Sequence, residues 1–221
     1  MIARMREPAN ALIHLAGSLC SAIALVVLVR IGLATGNPLA LISLSVYGVS
    51  QLALYLASTL YHGLRISTAG MERLLRLDCV LVFIYIAGAY TPVCLIALRD
   101  GWRWGLLVAV WSLAVVGLIA KLAWMDAPLW LSTLLYVALG WVALAAFPGL
   151  VQAVPPAGIW WFVAGGLVFT GGAVIFVLDR PWPWPGVFEA HALWHLCVVG
   201  GSACCFWAIV RYIAPLASAV S

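Results

Sequence analysis

Seven apolar runs, each long enough to cross a bilayer as a helix, fill this sequence and leave only short polar breaks between them. At roughly 20 apolar residues per crossing, the runs read as spans at about 9–33, 38–63, 74–98, 103–124, 128–147, 157–178 and 188–212. The composition agrees: 66% of residues are hydrophobic and 8% charged, against about 25% charged in a soluble domain. A water-soluble fold is thereby excluded, and so is disorder, which needs charge and few apolar residues. Seven spans of roughly 22 residues use about 154 positions and leave no room for a soluble domain. The expectation is one all-α integral membrane domain covering residues 1–221, a seven-transmembrane helix bundle.

Breaks fall where charges and Pro/Gly clusters interrupt the runs: Thr35 to Pro38, Arg65 to Arg73, Arg99 to Gly101, Met125-Asp126, Val154 to Pro156 and Asp179 to Pro185. The stretch Pro181-Trp182-Pro183-Trp184-Pro185 cannot be helical and is expected to lie extended at the membrane surface. The first run exceeds the 7–15 residues of a signal h-region, so it reads as an uncleaved helix. The face holding the amino terminus carries Arg4, Arg6, Arg65, Arg73, Arg76, Lys121 and Arg180, and the other face Arg30, Arg99, Arg103 and Arg211. Seven against four predicts a multi-pass protein of the cell membrane with a cytoplasmic amino terminus and an extracytoplasmic carboxyl terminus. The net charge of +4 marks those loops. No basic run suits nucleic acid, so the expected partners are membrane lipids, with no oligomeric state implied. The six cysteines lie in apolar stretches, as small packing residues.

In so apolar a chain, ionisable groups at membrane depth are functional suspects. There are four histidines. His62 ends the second span, while His191 and His195 open the seventh, spaced i, i+4 on one helix face. Together they offer three nitrogen ligands, and three histidines with an open fourth position is a layout of catalytic zinc. Asp78, early in the third span, falls at the same face and can orient a water or take its proton. Ser58 lies one turn deeper than His62 and can hydrogen-bond that water or a substrate carbonyl. The plain alternatives are histidines hydrogen-bonded across helices and an Asp78 paired with Arg73 or Arg76. His14 and Asn10 form a further polar patch to which no ligand role is given. The metalloprotease pattern HExxH is absent, because Ala192 stands where its glutamate would be.

The motifs Asn10-Ala-Leu-Ile-His14 with Gly17, Ser58-Thr-Leu-Tyr-His62, Asp78, Ile86-Ala-Gly-Ala-Tyr-Thr-Pro92, His191-Ala-Leu-Trp-His195 and Gly201-Ser202 occur in this order. As a set they resemble the hemolysin III family, the bacterial branch of the progestin and adiponectin Q receptor superfamily, over about residues 8–212. The resemblance implies a seven-helix bundle with a cytoplasmic amino terminus. It also implies zinc held at His62, His191 and His195, with Ser58 and Asp78 beside it. The wider superfamily includes alkaline ceramidases, which implies hydrolysis of a lipid amide. Cys79 and Cys205 depart from the family, standing where many relatives have histidines that are not core ligands.

Three functions compete. The first is a zinc-dependent hydrolase of a lipid amide or ester, with Asp78 and Ser58 as catalytic residues. The second is a receptor or sensor of membrane state in which zinc pins the helices without turnover. The third is a cytolytic pore, which the concentration of polar residues near one face counts against.

Overall fold

The computed structural model describes residues 5–220, so Arg4 and Ser221 lie outside the described residues. Seven helical segments among them are long and apolar enough to cross a membrane. They are built from eight α-helices: α1 (Pro8–Ala34), α2 (Pro38–Gly63), α3 (Thr68–Pro92), α4 (Asp100–Ala123), α5 (Leu129–Gly140), α6 (Phe147–Ala153), α7 (Pro156–Leu178) and α8 (Ala190–Ala208). The protein is thus a multi-pass membrane protein, an all-α bundle whose described residues contain no strand. Its outward faces carry exposed Leu19, Ile23, Val116 and Leu167, as a lipid-facing surface requires.

The ends follow local chemistry. Proline at the first position and an Asn37 side chain accepting from the Leu39 amide start α2. Ser67 caps α3 by accepting from the Gly70 amide, so this helix begins at Thr68 rather than at the expected 74 and carries Arg73 and Arg76. Pro92 then disturbs its hydrogen bonding, and Val93–Ala97 continue as a wider π turn.

The fifth span departs most from expectation. It runs from Leu129 to Ala153 instead of ending near 147, and it is broken. A 3-10 stretch, Trp141–Ala146, separates α5 from α6. Pro148 has no amide hydrogen and its ring crowds the carbonyl one turn back, so a straight helix cannot pass. The Tyr90 hydroxyl bridges the break, donating to the Gly140 carbonyl at 2.5 Å and accepting from the Ala143 amide at 2.9 Å. Pro181 to Pro185 is non-helical, as expected; the non-helical segment continues to Phe188, turns back on itself through an isolated bridge between Trp184 and Phe188, and α8 starts at Ala190 rather than at 188.

The first pair of spans packs tightly through glycine: a Cβ on Gly32 would stand 2.7 Å from the Leu41 Cα. On α2, Ser43, Tyr47, Ser50, Gln51, Tyr55, Ser58 and His62 are all buried. Polar groups therefore extend along this helix and are not confined to one face of the membrane. The stripe is packed rather than open, with Ala40, Leu44 and Leu28 fully buried around its far end.

Candidate metal centre

The start of α1, the end of α2, the first half of α3 and the start of α8 meet at one end of the bundle. There the sequence places His14, His62, Asp78 and the pair His191/His195. His62 and His195 are almost fully buried and His191 is half-buried. Their ring nitrogens form a group, with ligand atoms all within 4.8 Å of one another, that can hold a metal ion.

Two of these imidazoles already face each other correctly. The Nε2 atoms of His62 and His195 stand 3.2 Å apart. Two nitrogens sharing one tetrahedral zinc at about 2.0–2.1 Å would be about 3.3 Å apart. The opposite nitrogens of both rings are engaged elsewhere. His62 Nδ1 lies 2.5 Å from Glu7 Oε2, and His195 Nδ1 lies 2.6 Å from His14 Nε2. Metal-bound histidines characteristically give their second N–H to such an acceptor. Three imidazole nitrogens, two of them with hydrogen-bonding partners behind the ring, are donors of the kind that suits zinc.

Ser58 is buried one turn deeper on α2. Asp78 is half-buried, lies within hydrogen-bonding reach of Ser58 and within electrostatic reach of His62. It stands outside the group of converging ligand atoms. Among the described residues neither Arg73 nor Arg76 forms an ion pair with Asp78. Both Asp78 and Ser58 line a cavity of about 270 Å³, together with His14 and His195. That cavity continues between α3, the fifth span, α7 and α8 past Val82, Ile86 and Phe169 to Leu150 and Val154. Along α3 and into the π turn that follows it, its wall runs from Asp78 to Val93, about 22 Å of helix at roughly 1.5 Å per residue.

The structure brings all five sequence-derived site residues to this end. It adds His14, held against the site by Tyr55, whose ring lies 5.4 Å from it. Tyr55 in turn fits there because Gly17 has no side chain: a Cβ would come within 3.2 Å of the ring. Glu7 is the residue that sequence reasoning missed. Its backbone amide donates to the His62 carbonyl at 2.9 Å, its carboxylate accepts from Asn10 Nδ2 at 2.9 Å, and Arg6 pairs with it at 3.0 Å. Burial pushes the Glu7 carboxyl up, but the hydrogen bonds from His62 and Asn10 and the nearby charges outweigh it and hold it down to about 2. Its mark in the sequence is slight: no other acidic residue precedes Glu72. It sits one position before the proline that opens the first helix.

Residues 2–206 match the family described as haemolysin-III related. The chain is 37% identical to Hemolysin-3 of Bacillus cereus over 96% of this chain and 94% of that protein. It is 34% identical to a Hemolysin-3 homolog of Bacillus subtilis (strain 168) over 93% of each. A more distant similarity, 24% over 76% of this chain and 69% of the relative, connects it to the human monocyte to macrophage differentiation factor. With nearly its whole length matched and the histidine cluster assembled at one end of seven apolar spans, the chain belongs to the haemolysin-III-related family.

Proposed function

We propose that this protein is a zinc-dependent hydrolase of a lipid amide or ester, with the metal held by His62, His191 and His195 near the cytoplasmic face. One observation carries the reading: an apolar cavity begins at the histidine end, and a carboxylate and a hydroxyl line it there. Its wall along α3 and the turn after it, about 22 Å, exceeds the roughly 15 Å of hydrocarbon in one leaflet, a length suited to an acyl chain.

Bound zinc would supply Lewis-acid activation of the scissile carbonyl and of a water. The chain's own residues do the rest. Val82, Ile86 and Phe169 hold the acyl chain and exclude bulk water from the carbonyl end. Asp78 accepts the proton of the attacking water and can return it to the leaving amine or alcohol. Ser58, within hydrogen-bonding reach of Asp78, fixes the carboxylate's direction or donates to the substrate oxygen.

The test is zinc content and product release measured on the same preparations of wild type and His191→Ala, offered ceramides, phospholipids and acyl amides. Metal-dependent release by wild type alone supports the reading; no turnover on any substrate by a zinc-loaded protein overturns it.

A non-catalytic, zinc-stabilised receptor or sensor is favoured by a different observation. The contacts Glu7–His62 and His14–His195 tie α1 to α2 and to α8, which is what a metal-pinned scaffold needs. Two relatives carry the word hemolysin in their names, and dye leakage from liposomes tests whether this chain permeabilises membranes.

A further inference from the structure

Metal-ligating imidazoles need a lone pair on the nitrogen that faces the ion, and the proton must then sit on the other nitrogen. For His62 the nitrogen turned towards His195 is Nε2, at 3.2 Å. Its proton therefore belongs on Nδ1, and the group 2.5 Å from Nδ1 is the Glu7 carboxylate, an acceptor and nothing else.

Glu7 is not placed by chance. Its amide is anchored on the His62 carbonyl, and Asn10, one turn into α1, holds the same Oε2 that meets the ring. Arg6 pairs with the other oxygen and lies over the Tyr61 ring at 4.1 Å. The Arg65 guanidinium ties down the Met5 carbonyl at 3.0 Å. Residues 5–7 thus form a strap across the end of α2. The carboxylate stands outside the group of converging ligand atoms and does not line the cavity, so neither a ligand role nor substrate contact accounts for it.

We infer that Glu7, on the segment before the first membrane span, is a positioning residue of the metal centre that fixes the tautomer and orientation of His62. The inference rests on the zinc reading above and extends it to a part of the chain outside the membrane. His195 has the corresponding contact with His14, an imidazole in place of a carboxylate, at 2.6 Å from Nδ1. Of these two ring partners, Glu7 is the carboxylate. A carboxylate behind the imidazole raises its basicity and strengthens its hold on a cation.

The experiment uses the full chain purified in detergent and stripped of metal. Zinc affinity is measured by chelator competition, and Co²⁺ is used as a spectroscopic probe, for wild type, Glu7→Gln, Glu7→Ala and His62→Ala. Glu7→Ala is expected to weaken zinc by about 10–100-fold, the usual cost of losing an outer partner. Glu7→Gln should fall in between, since its amide oxygen still accepts from Nδ1 but carries no charge. The Co²⁺ absorption should shift in both, while melting of the metal-free proteins stays near wild type. A merely structural strap would do the reverse, lowering metal-free stability and leaving the Co²⁺ spectrum unchanged; that result overturns the inference. So do wild-type zinc affinities in both Glu7 variants when His62→Ala has lost the metal. A wild-type protein that holds no zinc, or a His62→Ala variant that keeps it, overturns the metal reading itself and is thereby told apart.

Discussion

His62 and His195 each have one ring nitrogen against a hydrogen-bonding partner, Glu7 and His14, whereas among the described residues His191 packs by ring contacts with His62, His195 and Phe176. All three are needed for a three-nitrogen site. Purified protein should hold about one zinc per chain, as expected for a single such site. His62→Ala, His191→Ala and His195→Ala should each lose most of it and melt at lower temperature in detergent, because bound metal contributes folding free energy. Metal analysis showing full retention in all three would end the proposal. Asp78→Asn separates catalysis from scaffolding. It keeps size and hydrogen bonding but removes the base, so zinc should remain while hydrolysis falls by about 10²–10⁴-fold, the range of general acid–base catalysis. Ser58→Ala should cost less, about 1.5–3 kcal/mol for one hydrogen bond to a charged group. Equal hydrolysis by wild type and Asp78→Asn would refute the catalytic role. At this scale His62, His191, His195, Asp78 and Ser58 were legible because ionisable and hydroxyl groups stand out in an apolar chain. Glu7 was not, since a carboxylate outside the spans looks like any solvated loop charge until the fold sets it against His62.

The helices were legible as runs of apolar residues, and their ends less so. The third begins early because one serine side chain caps it, and the fifth is interrupted because Pro148 cannot continue the ladder. Neither effect changes hydropathy, which is the signal that finds spans. Tyr90 holds the interrupted backbone together, so Tyr90→Phe leaves the Gly140 carbonyl and the Ala143 amide without their hydroxyl. A loss of about 1–3 kcal/mol is expected for such buried groups, read as a lower melting temperature with zinc content retained. An unchanged melting temperature would show that the two groups find other partners. The contact between α7 and α8 depends on Gly172, where a Cβ would stand 2.5 Å from the Cys197 Cβ and 3.0 Å from Trp194. Those two residues flank His195. Gly172→Ala should therefore displace α8, destabilise the bundle by about 1–3 kcal/mol, as overpacking does, and weaken zinc. Wild-type zinc affinity in a folded Gly172→Ala protein would show that the site does not depend on this packing.

For the whole molecule, the seven-to-four division of basic residues leads to a definite expectation: the amino terminus in the cytoplasm and the carboxyl terminus across the membrane. A reporter fused at Ser221 should be active only if it functions outside the cytoplasm. Activity of a cytoplasmic reporter there would overturn this topology, either its orientation or its span count, with the broken fifth span the first to re-examine. The sequence by itself determined the number of spans, the class of fold and the identity of the suspected ligands. Crossing a bilayer demands long apolar helices, and polar exceptions within them are costly enough to be conspicuous. Tertiary structure alone decided which nitrogen of His62 and of His195 is turned inward, and what stands behind each of them. It also decided that a cavity reaches from Asp78 along α3 to Val93. Those features depend on helix rotation and close approach between α1, α2, α3 and α8. Hydropathy is blind to both, because side chains from four separate stretches of sequence meet only when their helices pack.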